Sequence, residues 1–270
     1  MTPLGGLGRA AGSAGAQDRP AVEFAWQTHT GLIRPQNEDA VAVLPEQGIV
    51  IVADGIGGAR AGEVASSMAT EIISHRLAGQ SGLRNSRERA LSGAKAAVAE
   101  ANAAIFARGR SEGGCAGMGT TVVVGYVGAG WMVYAHVGDS RLYRLRDREL
   151  CQLTVDHSFI RDVVSKGYFP TLKEAREYGI NENLLTRAVG SAPQVAVSAN
   201  VTDLRPGDVY LLCTDGLSNM VSDDELRYRL SAFEGKLDNV ANALIHLACE
   251  AGGVDNITLA LMRVNRVETG

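Results

Sequence analysis

The sequence is short of the residues that build disulfide scaffolds and zinc knuckles. Its four cysteines, Cys115, Cys151, Cys213 and Cys249, lie far apart with no CxxC pair, which speaks against both and fits a reducing cytoplasm. Its five histidines, His29, His75, His136, His157 and His246, show no ligand spacing, so they read as structural or surface residues. Charge of one sign is nowhere concentrated. The net charge is -4 and Lys and Arg are scattered, so neither nucleic acid nor an anionic membrane is an expected partner. The chain opens without the apolar core of a secretory signal, and residues 1–21, rich in Gly and Ala, read as a flexible tail. The uncharged stretch from Gly113 to Gly138 has the length of a membrane span, but "TTVVVGYV" and "WMVYAHV" flank "GAG" within it. That punctuation reads as a hairpin of two buried strands, and no membrane span is expected.

What is present is enough apolar residue, 46% of 270, to bury a substantial core. β-branched runs predict strands at 22–29, 40–43, 49–53, 121–127, 131–137, 141–145, 209–214 and 257–264. Val64, Met68, Ile72 and Leu77 share one helical stripe, and Leu91, Ala94, Val98, Ala101 and Ile105 another. Ser222 followed by Glu225 has the form of a capping box. Val240, Leu244, Ile245 and Ala248 mark a last helix that Gly252 and Gly253 stop. Strands and helices are grouped, not alternating, so the fold class is α+β with largely antiparallel pairing.

The acids fall at strand ends. Asp54 ends "IVIVA", Asp215 ends "VYLLCT", Asp139 follows "YAHV" by one glycine, Asp255 precedes "NITLALM" and Asp39 precedes "AVAV". In antiparallel sheets the start of one strand lies beside the end of its neighbour, so these five can converge on one rim. Each Asp-Gly alone is equally an ordinary turn. Gathered carboxylates repel, by about 4 kcal/mol for a pair ~4 Å apart at an effective dielectric near 20. A hard divalent cation such as Mg²⁺ or Mn²⁺ is the natural remedy. The glycine run after Asp54 is not a phosphate-binding P-loop, because no Lys-Ser or Lys-Thr pair closes it. An aspartyl nucleophile of the haloacid dehalogenase type fits poorly, since Asp54 is followed by Gly55 and Ile56 and not by a second carboxylate two residues on. Ser140 and Cys213 have no evident paired base.

The ordered set "RPQNED" (34–39), "DGIGGARAGEVAS" (54–66), "GMGTT" (117–121), "GDSRLY" (138–143), "LTVDHS" (153–158), "LTRAVG" (185–190), "LLCTDGL" (211–217) and "DNIT" (255–258) resembles the bacterial metal-dependent serine/threonine protein phosphatases of PP2C (PPM) type. The resemblance covers residues 22–264. It implies a central antiparallel β-sandwich flanked by helices on both faces, one phosphatase domain over 22–266, and a variable flap over 158–184 beside the substrate groove. It implies Mn²⁺ or Mg²⁺ as cofactor, two ions and a weaker third. Asp54 would bridge the two, the Gly55 carbonyl would bind one, and Asp215 with Asp255 would hold the other. Glu38 and Asp39 would orient water or complete the second site, and Asp139 would serve the third ion. Gly55, Gly57 and Gly58 would then leave room for a carbonyl ligand and a tight turn into the next helix.

The chemistry implied is direct hydrolysis, with a water shared by two metals about 3.5–4 Å apart and aimed at phosphorus. Arg34 would clamp the phosphate. Where many eukaryotic relatives carry a histidine after the Asp-Gly pair, this chain has Ile56, which leaves the general acid open. The expected partners are phosphoserine and phosphothreonine proteins and a cognate Ser/Thr kinase, with the phosphatase a monomer. A silent phosphoprotein-binding module and a hydrolase of small phosphorylated metabolites are the other readings.

Overall fold

The computed structural model describes residues 21–267 except 59, 112–114, 182 and 233–234; apart from Ala21, the expected tail lies outside the described residues. Its strands are β1 (Ala21–His29), β2 (Ala40–Leu44), β3 (Ile49–Ala53), β4 (Gly55–Ile56), β5 (Gly119–Thr120), β6 (Val122–Val127), β7 (Trp131–Val137), β8 (Arg141–Arg146), β9 (Glu149–Gln152), β10 (Ser198–Asp203), β11 (Val209–Cys213) and β12 (Ile257–Arg266). Its helices are α1 (Arg60–Ala78), α2 (Arg87–Ser111), α3 (Phe159–Ser165), α4 (Leu172–Glu177), α5 (Asp215–Ser218), α6 (Asp223–Ser231) and α7 (Leu237–Glu250).

Two five-stranded antiparallel sheets, ordered β1-β12-β11-β8-β9 and β10-β7-β6-β3-β2, stack face to face. Alternate residues of each strand point inward: Val50, Val52, Val123 and Met132 from one sheet meet Leu142, Tyr210, Leu212 and Met262 from the other. The remaining residues of the same strands face outward, and helices cover them. Pair α1 and α2 pack on the β6-β3 side, and α5, α6 and α7 pack on the β11-β12 side. The chain is therefore a four-layer α-β-β-α sandwich with three apolar seams. Because the central strands are covered on both faces, they read as unbroken apolar runs.

Within the uncharged stretch, Val122–Val137 form the hairpin β6–β7, turned by Gly128–Gly130 with Gly130 at φ +74°. No helix among the described residues is long and apolar enough to cross a membrane. Ser222 caps α6, its hydroxyl accepting from the Glu225 amide at 3.3 Å. The fully buried stripe of α1 is Ala61, Ala65, Ala69, Ile73 and Leu77, one residue on from the expected Val64, Met68 and Ile72. Small residues let this helix lie close on the sheet. The larger side chains go to its flank, where the Arg108 guanidinium donates to the Met68 sulfur. Strand β10 escaped the sequence pattern because its residues, "SANVTD", are polar and half-exposed on a sheet edge.

Candidate active site

Strand pairing brings the acids together. The register Ala40↔Ala53 sets Asp39, just before β2, beside Asp54, just after β3. Pairing of Val122 with Val137 brings the β7 exit, and with it Asp139, to the same end of that sheet. In the facing sheet, pairing of Cys213 with Leu259 sets Asp215 at the β11 exit beside Asp255 at the β12 entry. Stacking then places both groups on one edge. A cleft of about 480 Å³ opens there, lined by Arg34, Glu38, Asp54, Gly55, Asp139, Asp215 and Asp255 together with Ile56, Leu184 and others. Of the site residues expected from the sequence, Asp39 is absent from the wall. It sits behind, where the Thr214 hydroxyl donates to its Oδ2 at 3.0 Å.

The acids keep some surface open to the cleft, yet burial dominates their ionisation. Burial, then Asp39, Asp215, Asp139 and Asp255, pushes the Asp54 carboxyl well above its ordinary range. Asp39 is raised to about 7, by burial first and by Asp215 and Asp255 after the opposing bonds from Thr258 and Thr214. Asp139 is raised to about 7 by burial and then by Asp215 and Asp156. Asp215 is also raised, by burial and then by Asp255. Charge of the opposite sign is close by. The Arg34 guanidinium donates to Asp255 Oδ2 at 2.8 Å, and that bond holds its own pKa up.

Neighbouring residues fix the frame. The Asp54 carbonyl accepts from the Thr120 hydroxyl at 2.8 Å and the Thr121 amide at 2.9 Å, and its amide donates to Thr121 Oγ1 at 3.0 Å. Asn256 ties the start of β12 to the β1–β2 connection: its side-chain nitrogen donates to the Thr30 and Gln36 carbonyls at 2.8 and 3.0 Å, and its oxygen accepts from the Glu38 amide at 2.8 Å. Gly55 is required by backbone crowding, and a side chain at Gly62 would displace the Glu38 carboxylate. A Cβ on Gly55 would lie 2.3 Å from the Gly62 carbonyl oxygen, and one on Gly62 would lie 1.9 Å from Glu38 Oε2. Gly58 has open space about it, so its positive φ of +75°, not crowding, is what favours glycine there. Sequence reading had assigned no role to Asn256, Thr214 or Gly62. The one available signal was that each lies inside or next to a stretch already containing an expected acid.

The segment expected to form a flap holds two short helices, α3 and α4, on a pinched neck. Ser158 bridges Leu185, the Phe159 amide donates to the Leu184 carbonyl at 2.7 Å, and the Thr186 amide donates to the His157 carbonyl at 2.8 Å. Arg141 anchors the start of that neck through Asp156, with Nη2 2.7 Å from Oδ2. Two histidines stack behind it: the rings of His136 and His157 lie 4.6 Å apart at 10°. Cys213 is fully buried with its thiol pushed up to about 12 by burial, and Ser140 is buried against the Thr121 hydroxyl, which removes both as nucleophiles.

The donor set fits divalent cations. It is oxygen-only, and two of its carboxylate oxygens, Asp39 Oδ1 and Asp215 Oδ1, are buried without a hydrogen-bond partner. Among the described residues no three acid, His or Cys side chains close into a ready cage; Asp54, Asp139, Asp215 and Asp255 line one cleft, and after burial the charges of the others raise the Asp54 carboxyl. Acids gathered against their own repulsion mark a site of chemistry, and the class that this fold and site define is an α-β-β-α sandwich protein with a cation-seeking acid cleft at one edge.

The model of the protein phosphatase 2C family matches residues 34–246. The serine/threonine phosphatase Stp of Listeria monocytogenes serovar 1/2a is 37% identical over 248 residues, which are 91% of this chain and 97% of that protein. The serine/threonine protein phosphatase PstP of Mycobacterium tuberculosis is 35% identical over 90% of this chain, which spans 45% of that longer protein. Among solved structures, PstP of M. tuberculosis superposes with a TM-score of 0.81 at 34% identity, over 91% of this chain and 99% of that one. The catalytic domain of a serine/threonine protein phosphatase PstP in complex with two manganese ions superposes with a TM-score of 0.77 at 34% identity, over 92% and 99%. The chain belongs to the protein phosphatase 2C family and is a phosphoprotein phosphatase.

Proposed function

We propose that the protein hydrolyses phosphoserine and phosphothreonine in proteins with the help of Mn²⁺ or Mg²⁺, opposing a Ser/Thr kinase of the same cell. The observation that carries this reading is the cleft in which Arg34 stands beside the acids. Asp54, Asp215 and Asp255 would hold two ions with the Gly55 carbonyl. Glu38 and Asp39 would support them, and Asp139 would serve a weaker third. Bound there, divalent cations would supply neutralising charge and make water acidic enough to attack at neutral pH. The residues of the chain do the rest. Arg34, half-exposed, exchanges its contact with Asp255 for two phosphoryl oxygens, a match of planar fork to tetrahedral anion. Thr120 and Thr121 hold the Asp54 backbone so that its carboxylate does not swing. Ile56, on the cleft wall, has no proton to give, so the leaving oxygen takes its proton from solvent in the cleft.

The two manganese ions bound by the catalytic domain of PstP support the cofactor assignment, and the four free cysteines support a reducing compartment. The test is a metal-titrated assay of wild type, Asp54→Asn and Asp215→Asn on phosphothreonine and phosphotyrosine peptides. Phosphate release from phosphothreonine should need added metal and fall at least about a hundredfold in both variants. Undiminished activity in Asp54→Asn sinks the assignment.

A further inference from the structure

We propose that the mouth of the cleft is an apolar subsite, selecting phosphoproteins that carry an aliphatic or aromatic side chain next to the phosphorylated residue. The inference rests on the phosphatase reading above and adds a substrate class to it. Eleven large apolar side chains are exposed among the described residues; two of them line the cleft and four more belong to segments that adjoin its lining residues. Ile56 and Leu184, 37% and 52% exposed, form part of the cleft wall itself. Phe159, 40% exposed, adjoins Leu184 through the backbone bond at the flap neck. Leu32 and Ile33 lead into Arg34, and Val254 leads into Asp255, the partner of Arg34. The Leu32 amide bonds the Gly253 carbonyl at 2.7 Å, which joins those two loops into one lip.

None of these side chains is left over from covering the sandwich, whose outer faces already carry α1–α2 and α5–α7. Four sit on loops, Ile56 on a two-residue strand and Phe159 on the first, exposed position of α3, so covering the sandwich does not oblige them to be apolar. Continuity with the acid cleft names the occupant. A residue entering that cleft drags its chain neighbours across this lip, where an apolar neighbour is desolvated at no electrostatic cost and a polar or charged one must give up its water without a partner.

The experiment uses the full chain with saturating Mn²⁺ and phosphothreonine peptides bearing Leu, Phe, Ser, Lys or Glu on either side of the phosphoresidue. The Leu and Phe peptides are expected to exceed the Ser and Glu peptides in kcat/KM by about tenfold or more, the span of one apolar contact in a pocket. Leu184→Glu and Ile56→Ser, both at exposed positions, should bring that ratio close to one, and Leu184→Met should keep it. Equal turnover of all peptides by wild type overturns the inference and leaves the phosphatase reading intact. So does an unchanged ratio in both variants, or a Leu184→Glu protein that differs only in oligomeric state, which would assign the lip to a second copy of the chain. Absence of hydrolysis from every peptide overturns both readings together.

Discussion

Asp139→Asn should make the metal-free protein more stable, and by an amount that depends on pH. The Asp139 carboxyl is raised from 3.8 to about 7 by burial and by Asp215 and Asp156. The difference between those values, at about 1.36 kcal/mol per pKa unit, sets a ceiling of ~4 kcal/mol on the cost of ionising it in the folded state. The side chain keeps some contact with the open cleft, and water there screens the charge, so about 2 kcal/mol is the expected gain. The sign follows from proton binding. Below pH 4 both folded and unfolded chains hold the proton and the variant gains nothing. Between about 4 and 7 the unfolded chain loses its proton first, so wild-type stability falls as pH rises; above 7 the full cost is present. Urea denaturation in chelator at pH 5, 6, 7 and 8 should therefore show a variant advantage that grows with pH. In saturating Mn²⁺ the advantage should shrink, because bound cations take over the neutralisation. A difference that is flat with pH, or a destabilised variant in chelator at pH 8, refutes the picture of mutually repelling buried acids.

Three further outcomes are expected. Asn256→Ala removes three hydrogen bonds to the β1–β2 connection, at Thr30, Gln36 and Glu38, and at about 1 kcal/mol each should cost ~3 kcal/mol in chemical denaturation; a cost below about 1 kcal/mol would show that these bonds are replaced by water. Gly62→Ala puts a methyl 1.9 Å from Glu38 Oε2, and the displaced acid should lower kcat about a hundredfold while the fold survives, measured by steady-state assay beside circular dichroism. His157 is held down to about 3 by burial and then by its stacked neighbour His136, so the stability it contributes is present above about pH 6.5 and is lost as pH falls toward 3. His157→Gln should flatten the acid limb of the thermal melting profile, and an acid limb identical to wild type would clear His157 of that role.

Much of the sandwich was legible because its cause is local. Strands such as Ile49–Ala53, Val122–Val127 and Val209–Cys213 are buried on both faces and so read as unbroken β-branched and aliphatic runs. The hairpin turn at Gly128–Gly130 and the cap at Ser222 are equally local, set by chemistry within a few residues. The polar edge strand β10 has no alternating apolar face, and the helices α3 and α4 are only seven and six residues long, so their signals, Ile160 with Val163 and the Thr171–Glu174 cap, were too short to single out. Their conformation comes from pairing with β7 and from the pinched neck at Ser158 and Leu185.

The acids divide along the same line. Sequence alone determined that Asp39, Asp54, Asp139, Asp215 and Asp255 stand at strand ends, because each abuts a run whose burial is written in its own residues. It also determined the motif order that marks the family. Only the tertiary structure decided which of them share a wall and which stands behind, that Arg34 meets Asp255 across 221 positions of chain, and that Asn256, Thr214 and Gly62 make the arrangement possible. The reason is physical: strand register and the stacking of two sheets fix relations between residues that have no local contact, and a raised carboxyl pKa is a property of those relations and not of any aspartate by itself.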